Sequence, residues 1–193
     1  MIIVLAGIDG AGKTTAGRLL MQRFKAAGYP ATFTTNCSGR RSLATWSARH
    51  NIHPPVMVVE AIETAIRCVN VLLSHCRATL GPGALIMDRY LYCQMALRRA
   101  RGLHPGWLLP LLSRILPTAD IVFYFNVPAE IAYARIARRA TDVETLEHLR
   151  GFDAAYRELE SFPSFIGIDA TLPSEQIVEG MLEELGMCGL VLQ

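Results

Sequence analysis

Apolar runs and amphipathic stretches alternate along the whole chain. "IIVLAG", "ALIMD" and "DIVFYFNV" are continuous apolar segments, the pattern of strands covered on both faces. "ATFTTN" and "SFIGIDA" are β-rich and predict two further strands. Helical patterns fill the intervals. Residues 13–27 predict a helix stopped by "GYP". "PPVMVVEAIETAIRCVNVLLSHCRATL" predicts a long helix, opened by Pro54 and Pro55 and ended by "GPG", with its apolar positions expected in the core. Residues 40–50 predict a short helix or ordered loop. "RYLYCQMALRRA" and "GWLLPLLSRIL" read as helices, the second with Pro110 near its start. "PAEIAYARIARRA" opens on Pro128, "VETLEHLRGFDAAYRELESF" has an acidic outer face, and "SEQIVEGMLEEL" closes the pattern with Ser174 as its expected cap.

This alternation predicts a three-layer α/β fold, a five-stranded parallel sheet with helices on both faces. Ligands of such sheets sit beyond the carboxyl ends of the strands. That directs attention to the polar residues at those ends: Asp9, Asn36, Asp88, Arg89, Asn126 and Asp169.

Composition narrows the class. The 193 residues, 51% hydrophobic and 19% charged, predict a single compact domain over 1–193. A net charge of +2 gives no footprint for nucleic acid. Five cysteines without a CxxC pair read as free thiols in a reducing, cytoplasmic setting. "MIIVLAG" is a buried strand rather than a signal peptide, and "VNVLLSHCRATL", broken by His75 and Arg77, does not make a membrane span. The histidines show no metal-ligand spacing with one another or with cysteine.

The chemistry begins at "GIDGAGKTT". Gly7, Gly12, Lys13 and Thr14 fit G-x-x-x-x-G-K-[ST], with Gly10, Ala11 and Thr15 completing the loop. Glycines let the backbone wrap a phosphate, and the following helix adds its positive end. Lys13 is expected at the terminal phosphates and Thr14 on Mg²⁺. A small kinase, a GTPase-type switch and an ATP-driven assembly factor remain open, although the N-K-x-D element expected of a GTP switch is absent. "ALIMDRY" sets Asp88, a magnesium-supporting carboxylate, beside Arg89, a clamp for a second phosphate. Asp9 is a further candidate for the magnesium shell. "ARIARRATDVE" gathers Arg135, Arg138 and Arg139 into a mobile lid at about 135–145, suited to closing over the transferring phosphoryl group.

These segments together resemble the thymidylate kinases, P-loop nucleoside monophosphate kinases that make dTDP from dTMP. "GIDGAGKTT", "LIMDRY", "ADIVFYFNVPAEIAYARIARR", "FDAAYRELE" and "IDATLPSEQIVEGMLEEL" carry the resemblance over nearly the whole chain. It implies ATP with Mg²⁺ and a homodimer packed through helices. Ala11, where other members carry arginine, is similar to the bacterial arrangement. The resemblance also implies that Asp9 positions the acceptor or the magnesium shell, that Arg89 holds the acceptor phosphate, and that Arg67 reads the base. Arg135 falls on the nucleotide side of the lid, and Tyr156 is a candidate nucleotide contact.

The departures fall on the acceptor half. After the second strand the family shows Arg-Glu-Pro-Gly-Gly, whereas here Asn36 is followed by Cys37, Ser38 and Gly39, with Arg40 and Arg41 as possible substitutes. Glu63 stands where the family stacks a phenylalanine on thymine, and after Asp-Arg-Tyr, where the family shows small residues and then Ala-Tyr-Gln, Gln94, Leu97 and Arg98 stand at those positions. Base stacking on an aromatic ring contributes about 1–3 kcal/mol per base in nucleic-acid binders. The acceptor is therefore expected to be dTMP or a modified pyrimidine nucleotide whose polar substituents meet Glu63 and Gln94. A kinase acting on a hydroxyl, with Asp9 or Glu63 as base, is the alternative. A non-catalytic nucleotide-binding regulator is the reading from outside enzymology.

Overall fold

The computed structural model describes residues 1–36, 49, 54–103, 108–115, 118–139 and 144–187. The expected helix or loop over 40–50 and the substitutes Arg40 and Arg41 lie outside them. So does the lid tip at 140–143.

Five strands form one sheet: β1 (Ile2–Ala6), β2 (Ala31–Thr35), β3 (Ala84–Asp88), β4 (Ile121–Asn126) and β5 (Ile166–Asp169). Their order is β2-β3-β1-β4-β5, and all neighbours are parallel. The expected alternation and fold class hold. β1 and β3 are buried at every position, as their unbroken apolar runs require. Ile3, Val4, Leu5, Ile86, Met87, Phe123 and Phe125 form the centre of the core.

The helices are α1 (Lys13–Ala26), α2 (Val56–Leu80), α3 (Leu91–Ala100), α4 (Leu108–Ile115), α5 (Ala129–Arg139), α6 (Leu146–Arg157) and α7 (Ser174–Met187). Three expectations need correction. α3 starts at Leu91, because Arg89 takes φ +72° and Tyr90 is extended. Ser174 lies inside α7 rather than capping it, and the Pro173 carbonyl accepts the Ile177 N–H. The third correction is larger and concerns α2. Its apolar residues Met57, Val58, Val69, Leu72, Leu73 and Leu80 are exposed, while Glu60, Glu63, Thr64, Arg67, Ser74 and His75 are buried. The helix is amphipathic as expected, but its polar side faces inward.

Candidate active site

The site is built where β1 and β3 end side by side, with Leu5 paired to Asp88. The chain leaves β1 through a tight loop. Gly7, Gly10 and Gly12 have φ of +133°, +82° and +90°, values that a side chain resists. Gly10 has a second reason to be glycine. A Cβ there would lie 2.4 Å from the Ala132 carbonyl oxygen, so the loop is pressed against α5. Ala11 is buried inside the loop, and Thr15 is exposed on the first turn of α1.

Lys13 is folded back over this loop. Its Nζ donates to the carbonyls of Gly7 at 2.8 Å and Ile8 at 2.6 Å, and the residue is 5% exposed. Burial lowers the ammonium pKa, partly opposed by the charges of Asp88 and Asp9. Thr14 Oγ1 donates to Asp88 Oδ2 at 2.5 Å. The other Asp88 oxygen, Oδ1, is buried with no hydrogen-bond partner. A hydroxyl and a carboxylate with an unused oxygen are the hard oxygen donors that Mg²⁺ takes, so the pair fits the ion.

The Asp9 carboxylate forms an ion pair with Arg89. Burial pushes the Asp9 pKa up, but the Arg89 and Lys13 charges outweigh it and hold the group below the usual carboxylate value. Burial would lower the Arg89 pKa, yet Cys93, Asp9 and Asp88 more than offset it, and the guanidinium stays charged. The left-handed backbone of Arg89, unusual without glycine, fits the role of aiming this side chain. The pair thus puts a fixed, oriented guanidinium at the tip of β3, next to the phosphate loop.

On the acceptor side, Arg67 Nη1 donates to the Asn36 carbonyl at 3.1 Å, and the Asn36 N–H donates to the Asp88 carbonyl at 2.9 Å. Asn36, Arg67 and Asp88 are therefore linked across β2, α2 and β3. Gln94 is completely buried, and neither end of its amide has a partner. Glu63, on the inner side of α2, is 1% exposed. Glu60, one turn earlier, takes Arg98 at 2.8 Å and Arg101 at 3.1 Å.

The lid residues are not brought together. Arg135 donates to the Ala170 and Thr171 carbonyls at 2.9 and 3.4 Å, fastening α5 to the β5–α7 turn. Arg138 and Arg139 are exposed on the last turn of α5. Two strand-end residues serve structure instead of the site: Asn126 accepts from Arg157, and Asp169 accepts from the Thr171 N–H and hydroxyl. Tyr156 is buried beside Cys93, and burial raises its pKa well above the usual value. His148 lies within electrostatic reach of Asp9 and Cys93 within that of Lys13, and neither stood out in the sequence. For His148 the available signal was its place in the four-residue series Glu144, His148, Phe152 and Tyr156.

Comparison with known proteins agrees with this geometry. The family model described as thymidylate kinase matches residues 5–181. A probable thymidylate kinase of Thermococcus onnurineus is 30% identical over 155 residues, covering 75% of each chain. A probable thymidylate kinase of Archaeoglobus fulgidus is 26% identical, covering 93% of this chain and 91% of its own. The thymidylate kinase of Xylella fastidiosa is 30% identical, covering 94% and 88%. With the phosphate loop, the Asp88–Arg89 pair and a match across the sheet from β1 to α7, the chain belongs to the thymidylate kinase family.

Proposed function

We propose that this nucleoside monophosphate kinase moves the terminal phosphoryl group of ATP onto a pyrimidine deoxynucleotide, dTMP or a 5-modified relative. The observation that carries the reading is the double clamp at the tips of β1 and β3. Lys13 and the glycine loop form one phosphate site, and Arg89, oriented by Asp9, forms a second beside it. Two adjacent phosphate sites suit an acceptor that is already a phosphate ester. Such an acceptor is nucleophilic near neutral pH, so no strong general base is required.

Lys13 leaves the Gly7 and Ile8 carbonyls for the donor phosphates, and the loop N–H groups wrap them. Thr14 and Asp88 would hold Mg²⁺, which when bound offsets phosphate charge. Arg89 orients the acceptor phosphate for in-line attack. Arg138 and Arg139 would close over the junction and exclude water. Arg135 and Tyr156 border the nucleotide sites. Arg67, Gln94 and Glu63 read the base through hydrogen bonds instead of stacking, and the inward polar side of α2 supports this.

The outward apolar side of α2 supports a homodimer packed through that helix. Among the described residues no helix is long and apolar enough to cross a membrane. The free thiols of Cys68, Cys76 and Cys93 suit the cytoplasm.

A coupled ADP-release screen across monophosphates and nucleosides tests the assignment. Turnover with 5′-phosphorylated pyrimidines, lost in Lys13→Ala, is the expected result. Preference for unphosphorylated nucleosides would move the chain to the hydroxyl-kinase reading.

A further inference from the structure

A polar cavity of about 120 Å³ opens at the edge of the sheet, lined by Thr34, Asn36, Asn70, Ser74, Arg77 and Met87. The register sets its floor. Thr34 is paired with Met87 across β2 and β3, and Thr34 and Asn36, two apart on one strand, share a face. Asn70, Ser74 and Arg77 follow one another at helical spacing on α2 and so share a side of that helix. β2 is the edge strand, which leaves this flank of the sheet uncovered by a neighbour. Neither Glu63, Arg67 nor Gln94 lines the cavity, so it is separate from the side chains assigned to the base.

The lining is rich in donors. Asn36 is 2% exposed, its Oδ1 accepts from Asn70 Nδ2 at 3.2 Å, and its Nδ2 has no hydrogen-bond partner. An amide N–H buried without a partner is costly, so an acceptor placed against it is favoured. Ser74 is buried and adds a hydroxyl. Arg77 is exposed and makes no ion pair among the described residues. No carboxylate lines the cavity, and that of Asp88, next to Met87 on β3, is held by Thr14 at the phosphate loop. One guanidinium, one unpaired amide donor and no acid select an anion. The volume admits a single oxyanion group and is well below the roughly 300 Å³ at which pockets for larger ligands begin.

Asn36 also joins the cavity to the acceptor side. Its carbonyl accepts from Arg67 Nη1 at 3.1 Å, and its N–H donates to the Asp88 carbonyl at 2.9 Å. One residue thus presents its side chain to the cavity and its backbone to Arg67 and β3.

We propose that this cavity is an oxyanion site, distinct from the donor and acceptor phosphate sites, holding inorganic phosphate or the phosphate group of a monoester through Arg77, Ser74 and the Asn36 amide. An anion there fixes Asn36 and, through its carbonyl, Arg67, so that occupancy raises acceptor affinity. This coupling rests on the pyrimidine-nucleotide reading above; the binding does not.

The test follows the NMR signals of Asn36, Asn70 and Ser74 as inorganic phosphate is added to the wild-type protein and to Lys13→Ala, Arg77→Ala and Asn36→Asp. Saturating shifts are expected in wild type, and they persist in Lys13→Ala, where the donor site is disabled. Arg77→Ala raises the half-saturation concentration roughly 10-fold or more. Asn36→Asp, which exchanges the donor for a carboxylate of the same size, abolishes the shifts. A second arm replaces inorganic phosphate with glycerol phosphate. Tighter binding of the monoester assigns the site to the phosphate group of a larger molecule, and tighter binding of inorganic phosphate assigns it to the free ion. Absence of saturating shifts in wild type, or equal half-saturation in wild type and Arg77→Ala, overturns the proposal and leaves a water-filled cavity. The coupling is read from KM for the pyrimidine monophosphate with and without phosphate, in wild type and Arg77→Ala. Competition at Arg89 is common to both enzymes, so KM should rise roughly fivefold less in wild type. Coincident KM values overturn the coupling. Absence of turnover with every monophosphate would refute the kinase reading instead, and the NMR titration would still decide the site.

Discussion

Gly10→Ala isolates how the phosphate loop is held. A Cβ at Gly10 meets the Ala132 carbonyl oxygen at 2.4 Å, well inside ordinary contact, and the neighbour is α5 backbone rather than a side chain that could turn away. The φ of +82° adds left-handed strain, about 1–2 kcal/mol for a residue with a Cβ. Overpacking against fixed backbone adds about 1–3 kcal/mol. The sum is about 2–5 kcal/mol, which lowers Tm by roughly 4–20 °C for a domain of this size. Relief comes from moving the loop or α5 by several tenths of an ångström. A shift of that order at a phosphate site costs up to about 100-fold in kcat/KM for ATP. Gly28→Ala is the matched control, since Gly28 has φ +81° but nothing within 4 Å of its built Cβ. It should lose only the strain term and keep full activity. Calorimetry and initial-rate kinetics on both variants give the answer. Gly10→Ala with the same Tm change as Gly28→Ala and unaltered ATP kinetics would refute the reasoning.

Three further outcomes follow from the site and from α2. The Asp9 carboxyl titrates below its unfolded value, so the stabilisation from the Arg89 pair is complete above about pH 4 and is lost as pH falls through the folded pKa. Urea midpoints measured down the acid range should therefore fall more steeply for wild type than for Asp9→Asn, and parallel curves would contradict the pairing. Gln94→Leu removes two unpartnered buried polar atoms, so Tm is unchanged or higher while KM for the pyrimidine monophosphate rises roughly 10- to 100-fold; an unchanged KM would remove Gln94 from the acceptor site. Leu72→Glu, on the exposed apolar face of α2, should convert a sedimenting dimer into a monomer, and a wild-type protein that sediments as a monomer at micromolar concentration would exclude the α2 interface.

The strands were legible because buried parallel strands leave unbroken apolar runs, as "IIVLAG" and "ALIMD" show. The donor site was legible because its function depends on backbone freedom and on a fixed spacing from Gly7 to Thr14. α2 was misread for a physical reason. A helical period reports that two faces differ, but it does not say which one turns inward, and an inner side carrying Glu60, Glu63, Arg67 and His75 reverses the usual rule. The Asp9–Arg89 pair joins residues that follow different strands, and no local pattern encodes it.

The inverted α2 also bears on how this family changes its substrate. A helix whose inner side is polar draws little hydrophobic holding force from the sheet beneath it. On the function proposed above, residues such as Glu63, Thr64 and Arg67 would carry recognition more than they carry the fold. Exchanging a stacking ring for a carboxylate there forfeits contact with one ligand but leaves the core at Ile86 and Phe123 undisturbed. Selectivity at the acceptor can drift along α2 at little cost to stability, while the donor loop, tied by Gly10 to the backbone of α5, has no such latitude.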